Sequence, residues 1–154
     1  MTLTHLNQLG EAHIVDIADK ATTRRRAVAT ARLEALPETI ALILGGTLKK
    51  GDALAVARIA GIMAAKKTAE LIPLCHPIPL TSVEVTIVGD GAGLLVTATA
   101  ETNAQTGVEM EAMTAASVAA LTLYDMAKSH DRAMRVTAIQ LEEKSGGKSG
   151  DFKR

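Results

Sequence analysis

TGVEMEAMTAASVAALTLYDMAK, residues 106–128, is the stretch that decides the fold, because it predicts one long helix. Thr106 followed three residues later by Glu109 is the pattern of a capping box, in which two side chains satisfy free amides at a helix start. Apolar residues then recur at spacings of three and four, which predicts a buried stripe whose small members allow close packing on a sheet. The stripe comprises Met113, Ala116, Ala120, Leu123 and Ala127.

Three charged residues of this helix have no role in that packing. Glu111 and Asp125 fall within about 40° of each other around the helix axis, yet they lie about 21 Å apart along it. Lys128 follows Asp125 by three positions, so the two could form an exposed ion pair contributing about 0.2 to 0.5 kcal/mol. From the residues alone, a surface ion pair is the better interpretation of Asp125 and Lys128.

The segments before and after this helix alternate apolar and polar residues with a period of two, which predicts strands. One strand follows an arginine run at 24–26, a hairpin turns at 89–93, and a last strand covers 134–141. Two shorter helices precede the hairpin, one opened by Pro37 and one capped by Asp52. The order predicts an α+β, ferredoxin-like fold, with an antiparallel four-stranded sheet and helices packed on one face.

The composition indicates one globular domain, residues 1–154, with a loose N-terminal arm at 1–23 and a flexible Gly- and Lys-rich tail at 144–154. Hydrophobic residues make up 47% of the chain, and 17 basic residues balance 17 acidic ones. Zero net charge gives no indication of a nucleic acid or an anionic membrane as partner. The single cysteine, Cys75, suits a reducing compartment, and the N-terminus lacks a signal-peptide pattern. We therefore expect a cytoplasmic protein.

A proline-rich loop presents the first candidate site residues. Three of the four prolines fall within residues 73–79, where they hold Leu74, Cys75 and His76 on a stiff, extended support. Cysteine beside histidine suggests a metal, but adjacent residues rarely chelate together, and no second cysteine or spaced histidine pair completes a four-ligand set. A hydrogen-bonded histidine and a general acid or base are both better interpretations of His76. We expect no metal.

Basic residues at three places are candidates for binding an anion. The run at 24–26 is typical of a solvated strand end, although one guanidinium pointing into a cleft would suit phosphate. Lys50 stands beside a glycine at a helix start, where structural and functional roles are about equally favoured. The tail sequence GKS is no Walker loop, because Glu142 replaces a required glycine and no helix follows. Lys144 and Lys148 could still close over an anion, although a frayed terminus is the commoner outcome.

Several of these stretches together resemble one family, that of the cyclic pyranopterin monophosphate synthases, or molybdenum cofactor biosynthesis protein C. The matching motifs run in the family's order from about residue 10 to the end. They are KGD at 50–52 followed by ARIAG, LIPLCHP at 71–77, TGVEMEAMTAAS at 106–117, YDMAK at 124–128 and KSGGKSGDF at 144–152. Motifs of this length are far more specific than a glycine pattern.

The resemblance implies a lyase that converts 3′,8-cyclo-7,8-dihydroguanosine 5′-triphosphate into cyclic pyranopterin monophosphate and diphosphate, without a cofactor. It also implies a ferredoxin-like fold and a homohexamer, a trimer of dimers with active sites at subunit boundaries, and a functional link to an upstream radical cyclase. By motif, Asp125 matches the family's catalytic aspartate, and Lys50 and Lys128 match its essential lysines. On this reading the two lysines act as general acid and base.

The resemblance also implies a set of substrate contacts. By motif these are Leu74, Cys75, His76, Met110 and Glu111. Arg25 is the best match for a phosphate ligand, and with His76 it would orient the triphosphate, while Lys144 and Lys148 become a lid. Two functions from other classes stay open: a sensor that binds a nucleotide without turning it over, and an assembly scaffold whose alanine-rich helices form an oligomer interface.

Overall fold

The computed structural model describes residues 4–154 as one antiparallel sheet with helices against it. The strands are β1 (Thr23–Glu34), β2 (Leu80–Gly89), β3 (Gly93–Ala104), β4 (Arg135–Ser145) and β5 (Phe152–Lys153). The helices are α1 (Pro37–Gly45), α2 (Ala53–Lys66), α3 (Thr68–Leu71) and α4 (Glu109–Ala127). The predicted α+β class and the predicted order of elements are confirmed.

The strand order in the sheet is β2-β3-β1-β4-β5, and every neighbouring pair is antiparallel. β3 lies between β1 and β2, and β1 lies between β3 and β4, which is the split βαβ arrangement of a ferredoxin-like fold. The sheet has one strand more than predicted. Residues 144–154, expected as a flexible tail, contain the end of β4 and the short β5 that pairs with it. Two residues are too few to produce a period-two pattern.

The helix starts predicted from Pro37 and Asp52 are confirmed. Pro37 is the first residue of α1, where its missing N–H costs no hydrogen bond. Asp52 caps α2, because its Oδ1 accepts a hydrogen bond of 3.1 Å from the backbone N–H of Ala55. Both helices therefore begin at the positions that the local sequence predicts.

Small side chains bring the helices close to one another and to the sheet. Most of the predicted stripe of α4 is fully buried at Ala116, Ala120, Leu123 and Ala127, with Met113 packed at its edge. A Cβ at Gly61 of α2 would lie 3.0 Å from the backbone oxygen of Ala115 and 3.2 Å from the Cβ of Ala119. This close approach fixes α4 as a rigid support for the side chains at its two ends.

The predicted start of α4 is wrong. The helix begins at Glu109 with Val108 as its N-cap, and the cap makes no side-chain hydrogen bond within residues 4–154, so Thr106 and Glu109 form no capping box. The Glu109 carboxylate instead lies against Gly107, where a Cβ would clash with it, and its Oε1 is 3.6 Å from the Nζ of Lys144. Attraction to a lysine distant in sequence replaces the local cap.

Ala138 is the one non-glycine residue within residues 4–154 that has a positive φ, at 50°. It lies in a bulge of β4, because Thr30 pairs with Gln140 whereas Arg32 pairs with Thr137. We expect Ala138→Gly to raise the free energy of unfolding by about 0.5 to 1 kcal/mol, since the left-handed region is strained for alanine and free for glycine. Denaturant unfolding at fixed protein concentration measures this change.

Ala41, an exposed residue inside α1, supplies the matched control for this substitution. Ala41→Gly should lower the free energy of unfolding by about 1 kcal/mol, because glycine is a poor helix former. If Ala138→Gly destabilises the protein as Ala41→Gly does, the left-handed backbone at Ala138 is not a feature of the folded protein.

Candidate active site

A cleft of about 420 Å³ opens where the N-terminal arm, the proline-rich loop and the start of α4 meet. It brings together the five residues that sequence motifs predicted as substrate contacts. These residues are Leu74, Cys75, His76, Met110 and Glu111. The arm contributes Val15, Ile17 and Lys20 to the lining. Segments separated by up to about a hundred positions therefore form one concave surface.

His76 joins the proline-rich loop to the N-terminal arm. Its Nε2 lies 2.6 Å from the carbonyl oxygen of Val15, and since a carbonyl only accepts, Nε2 donates this hydrogen bond. In the neutral ring Nδ1 then carries the lone pair and can accept a proton or a hydrogen bond. His76 is thus held in one orientation while keeping one nitrogen for chemistry.

Glu111 is the buried acid of the cleft, with only 4% of its surface exposed. Its Oε2 is buried and has no hydrogen-bond partner within residues 4–154. Burial, with a smaller effect from the negative charge of Glu109, raises the pKa of Glu111 to about 7. Near neutral pH the carboxyl group can therefore either donate or accept a hydrogen bond inside the cleft.

A second cavity of about 430 Å³ adjoins the cleft, because Lys20 lines both spaces. Its lining includes Arg25, Gly147 and Lys148. Arg25 is only 7% exposed, and its Nε donates a hydrogen bond of 3.2 Å to the carbonyl oxygen of Ala104. Gly147, at φ +82°, packs so closely that a Cβ there would clash with the guanidinium.

Strand alternation separates Arg25 from the other two arginines of the run. Arg24 and Arg26 project from the opposite face of β1, where both pair with Glu101, at 3.3 and 3.5 Å. Neither lines the cavity that contains Arg25. Of the three, only Arg25 has a position from which it can bind a ligand in this cavity.

A cluster of two lysines and one aspartate lies at the other end of α4. Lys128 Nζ is 2.8 Å from Asp125 Oδ1, and Lys50 Nζ is 3.1 Å from Asp125 Oδ2 and 2.9 Å from its backbone oxygen. Two hydrogen bonds lower the pKa of Asp125: the one from Lys128 has the larger effect, and the one from Lys50 follows it in size. The three side chains are 45 to 56% exposed, so a ligand or another subunit can reach them.

Comparison with known proteins agrees with this arrangement of motifs. The family model described as MoaC family matches residues 14–147. The cyclic pyranopterin monophosphate synthase of Dinoroseobacter shibae is 58% identical over 152 residues, covering 97% of this chain and 96% of the relative. The chain belongs to the MoaC family. The enzyme of the same name from Nostoc sp. is 57% identical over 152 residues, covering 97% of this chain and 90% of the relative.

In this MoaC family chain the predicted site residues fall into two groups. The cleft lies at the N-terminal end of α4, with the second cavity beside it, whereas Lys50, Asp125 and Lys128 lie at the C-terminal end of α4. The fourteen positions between Glu111 and Asp125 correspond to about 21 Å along the helix. One copy of the chain therefore does not bring the two groups together.

Lys144 ties the tail to the start of α4 and does not line the cleft or the adjoining cavity. Besides its ion pair with Glu109, its Nζ donates a hydrogen bond to Ser149 Oγ. Its side chain is 20% exposed. Lys144 thus holds the glycine turn at 146–147 in place, and it is Lys148 that faces the cavity.

The part of the chain that the structure describes contains no group of three or more His, Cys, Asp or Glu side chains able to hold a metal ion. Cys75 and His76 line the same cleft as Glu109 and Glu111, but these side chains are not grouped as metal ligands. No helix among residues 4–154 has the length and apolar character needed to cross a membrane.

The pKa of the Cys75 thiol depends on the charge of Glu111. Burial raises this pKa, and the negative charge of Glu111 raises it further. We expect Glu111→Gln to move the midpoint of the pH profile of Cys75 alkylation down by a few tenths of a unit to about one unit. The direction follows because Glu111, with a pKa of about 7, is ionised at the alkaline pH where the thiol titrates. Mass spectrometry of iodoacetamide labelling measures the profile at this single cysteine.

Glu84→Gln, at an exposed position of β2, removes an equal charge away from the cleft and should leave the profile unchanged. A Glu111→Gln profile that coincides with wild type, or that moves to higher pH, would show that the carboxylate does not face the thiol.

Proposed function

We propose that this chain is a lyase of molybdenum cofactor biosynthesis that converts 3′,8-cyclo-7,8-dihydroguanosine 5′-triphosphate into cyclic pyranopterin monophosphate and diphosphate. The observation that carries the proposal is the pairing of a cleft lined by Leu74–His76, Met110 and Glu111 with an adjoining cationic cavity. These two spaces suit a ligand that has a bicyclic base and a phosphate chain. Two relatives that are named cyclic pyranopterin monophosphate synthase are 57 to 58% identical to this chain.

The base would occupy the cleft and be recognised by its edges. The chain has one tyrosine, one phenylalanine and no tryptophan, so an aromatic stacking platform contributes little. Glu111 can accept hydrogen bonds from ring and amino N–H groups when ionised, and can donate one when protonated. Its Oε2, which has no hydrogen-bond partner among the described residues, is the kind of buried atom that a ligand satisfies.

The phosphate chain would extend into the cavity that contains Arg25 and Lys148. The Arg25 guanidinium offers donors in a planar fork that matches phosphate oxygens. His76, held through Nε2, helps to orient the phosphates from the cleft side. Lys144 anchors the tail, so that Lys148 can close over the chain as a lid.

Asp125 holds Lys50 and Lys128 for acid–base chemistry. Rebuilding the ring system requires proton transfers to nitrogen and carbon, which positioned lysines can supply. In the second half of the reaction a sugar-derived hydroxyl attacks the α-phosphorus, the α–β phosphate bond breaks, and diphosphate leaves. Cationic side chains offset the charge that develops on the leaving oxygens.

The complete site would form between subunits of a cytoplasmic homohexamer, a trimer of dimers, with the lysine cluster of one copy facing the cleft of the next. The separation of about 21 Å along α4 supports this arrangement. An apolar stripe on α2 supports it as well, because Val56, Ile59 and Met63 follow helical spacing and are 44 to 59% exposed. An upstream radical cyclase would supply the substrate.

Anaerobic incubation of the purified protein with the cyclised nucleotide tests the function. We expect diphosphate release together with the fluorescent pterin obtained by oxidising the product, and we expect both to be lost in Lys128→Ala. Substrate that binds and is recovered unchanged would contradict the synthase assignment and favour a nucleotide sensor. A Lys128→Ala variant with full turnover would contradict the role given to this lysine.

A further inference from the structure

Two buried side-chain atoms lack a hydrogen-bond partner within residues 4–154, and both belong to residues that line the two joined spaces. They are Oε2 of Glu111, a residue of the cleft lining, and the hydroxyl oxygen of Thr23, a residue of the cavity lining. Leaving a buried polar atom unsatisfied costs about 1 to 3 kcal/mol, so folded proteins rarely do so without a reason. Both residues therefore line the spaces in which a ligand would bind.

We propose that Thr23 and Lys20 bind the phosphate chain of the substrate, a role that rests on the function proposed above. The Thr23 hydroxyl donates a hydrogen bond to a phosphate oxygen inside the cavity. Lys20 lines both the cleft and the cavity, so its ammonium group meets the phosphate chain as the chain leaves the nucleoside portion. No sequence motif marks either residue.

The charge of the cavity fits a polyphosphate. Lys20, Arg25 and Lys148 line it, with Asp19 as the acidic lining residue, which leaves a surplus of two positive charges. None of these three basic side chains is among the ion pairs formed within residues 4–154. Elsewhere on β1 the arginines are neutralised by carboxylates, so the cations of the cavity are kept available for an anionic ligand.

The backbone presents Thr23 and Arg25 together. The two residues are separated by one position at the start of β1, so their side chains project from the same face of the strand. Pairing with β3 fixes this segment, since Thr23 lies opposite Ala104, whose carbonyl oxygen also accepts the hydrogen bond from Arg25 Nε. The hydroxyl and the guanidinium are therefore preorganised side by side.

Binding of inorganic triphosphate, measured by isothermal titration calorimetry on the full-length protein, tests the site without turnover. We expect Thr23→Val, which keeps the shape and removes the hydroxyl, to weaken binding about tenfold, and Thr23→Ser to bind nearly as wild type does. Lys20→Ala should weaken binding by at least about tenfold, and Lys20→Arg should retain most of it. Lys49→Ala, at an exposed lysine outside both spaces, is the matched control.

Unfolding of the ligand-free protein separates binding from a structural role. Because the Thr23 hydroxyl has no hydrogen-bond partner within residues 4–154, Thr23→Val should leave the free energy of unfolding unchanged or raise it. A loss of stability in Thr23→Val, with triphosphate affinity unchanged, would assign the hydroxyl to the fold and overturn its proposed role.

The outcomes for the site and for the function can be told apart. If Thr23→Val and Lys20→Ala turn over the cyclised nucleotide with wild-type KM, the phosphate role is wrong while the synthase assignment stands. If wild type shows no turnover but binds triphosphate through Thr23 and Lys20, the site stands and the synthase assignment falls. We expect turnover by wild type and a KM at least about tenfold higher in both variants.

Discussion

Asp125→Asn is expected to lower kcat at least about 10²-fold while the protein stays folded. In the wild type each carboxylate oxygen binds a different lysine, Oδ1 at 2.8 Å from Lys128 and Oδ2 at 3.1 Å from Lys50. Asparagine has one acceptor oxygen, and its amide nitrogen is a donor that faces the second ammonium group. The side chain of the variant can therefore accept from only one of the two lysines, and Lys50 keeps only its hydrogen bond of 2.9 Å to the backbone oxygen of residue 125 if the amide oxygen faces Lys128.

Asp90→Asn is the matched control for this experiment. Asp90 is also a paired surface carboxylate, with its two oxygens 2.7 and 3.0 Å from the Arg32 guanidinium, which lowers the pKa of Asp90 to about 2. We expect the kcat of Asp90→Asn to stay within about twofold of wild type, because Arg32 and Asp90 belong to neither group of candidate site residues. Steady-state diphosphate release measures both variants.

Lys50→Ala and Lys128→Ala show whether Asp125 acts through the lysines. Each should lower kcat about as much as Asp125→Asn does, since groups that act as a unit are not additive. If Asp125→Asn is inactive and both lysine variants keep wild-type kcat, the aspartate acts directly and not by positioning. An Asp125→Asn variant with wild-type kcat would show that the cluster of Lys50, Asp125 and Lys128 takes no part in catalysis.

Periodic features of the sequence predicted most of the fold, because burial imposes their spacing. The stripe of α4 and the alternation of β1 each repeat over about ten or more positions, so a single exception does not hide them. The capping box was wrong because Glu109 pairs with Lys144, 35 positions away. β5 was missed because its two residues gain their partners only when the tail returns to β4.

The site was predicted less completely, since its contacts join distant positions. Asp125 and Lys128 are three residues apart and were recognisable as a pair, but no local signal places Lys50 beside them. Conversely, sequence patterns favoured an ordinary ion pair there, and only the family motifs assigned it a catalytic role. Thr23 lies next to the arginine run and belongs to no motif, and what distinguishes it is a buried hydroxyl without a hydrogen-bond partner in the described part of the chain.

Two inactive variants are expected to restore activity when they assemble into the same oligomer. One variant, Lys128→Ala, has a defective lysine cluster and an intact cleft. The other, carrying His76→Ala and Glu111→Gln, has a defective cleft and an intact cluster. If each site combines the cleft of one copy with the cluster of another, random assembly at equal amounts gives about a quarter of the sites two intact halves.

Co-expression with two different affinity tags, followed by sequential purification, isolates the mixed oligomers for the turnover assay. We expect about a quarter of the wild-type kcat per site. Mixed oligomers of Lys50→Ala with Lys128→Ala are the control and should stay inactive, because both lysines contact the same Asp125 within one chain. Activity no higher than that control in the first mixture would mean that each copy forms its own site. The gap of about 21 Å along α4 would then have to be closed by a rearrangement within a single chain.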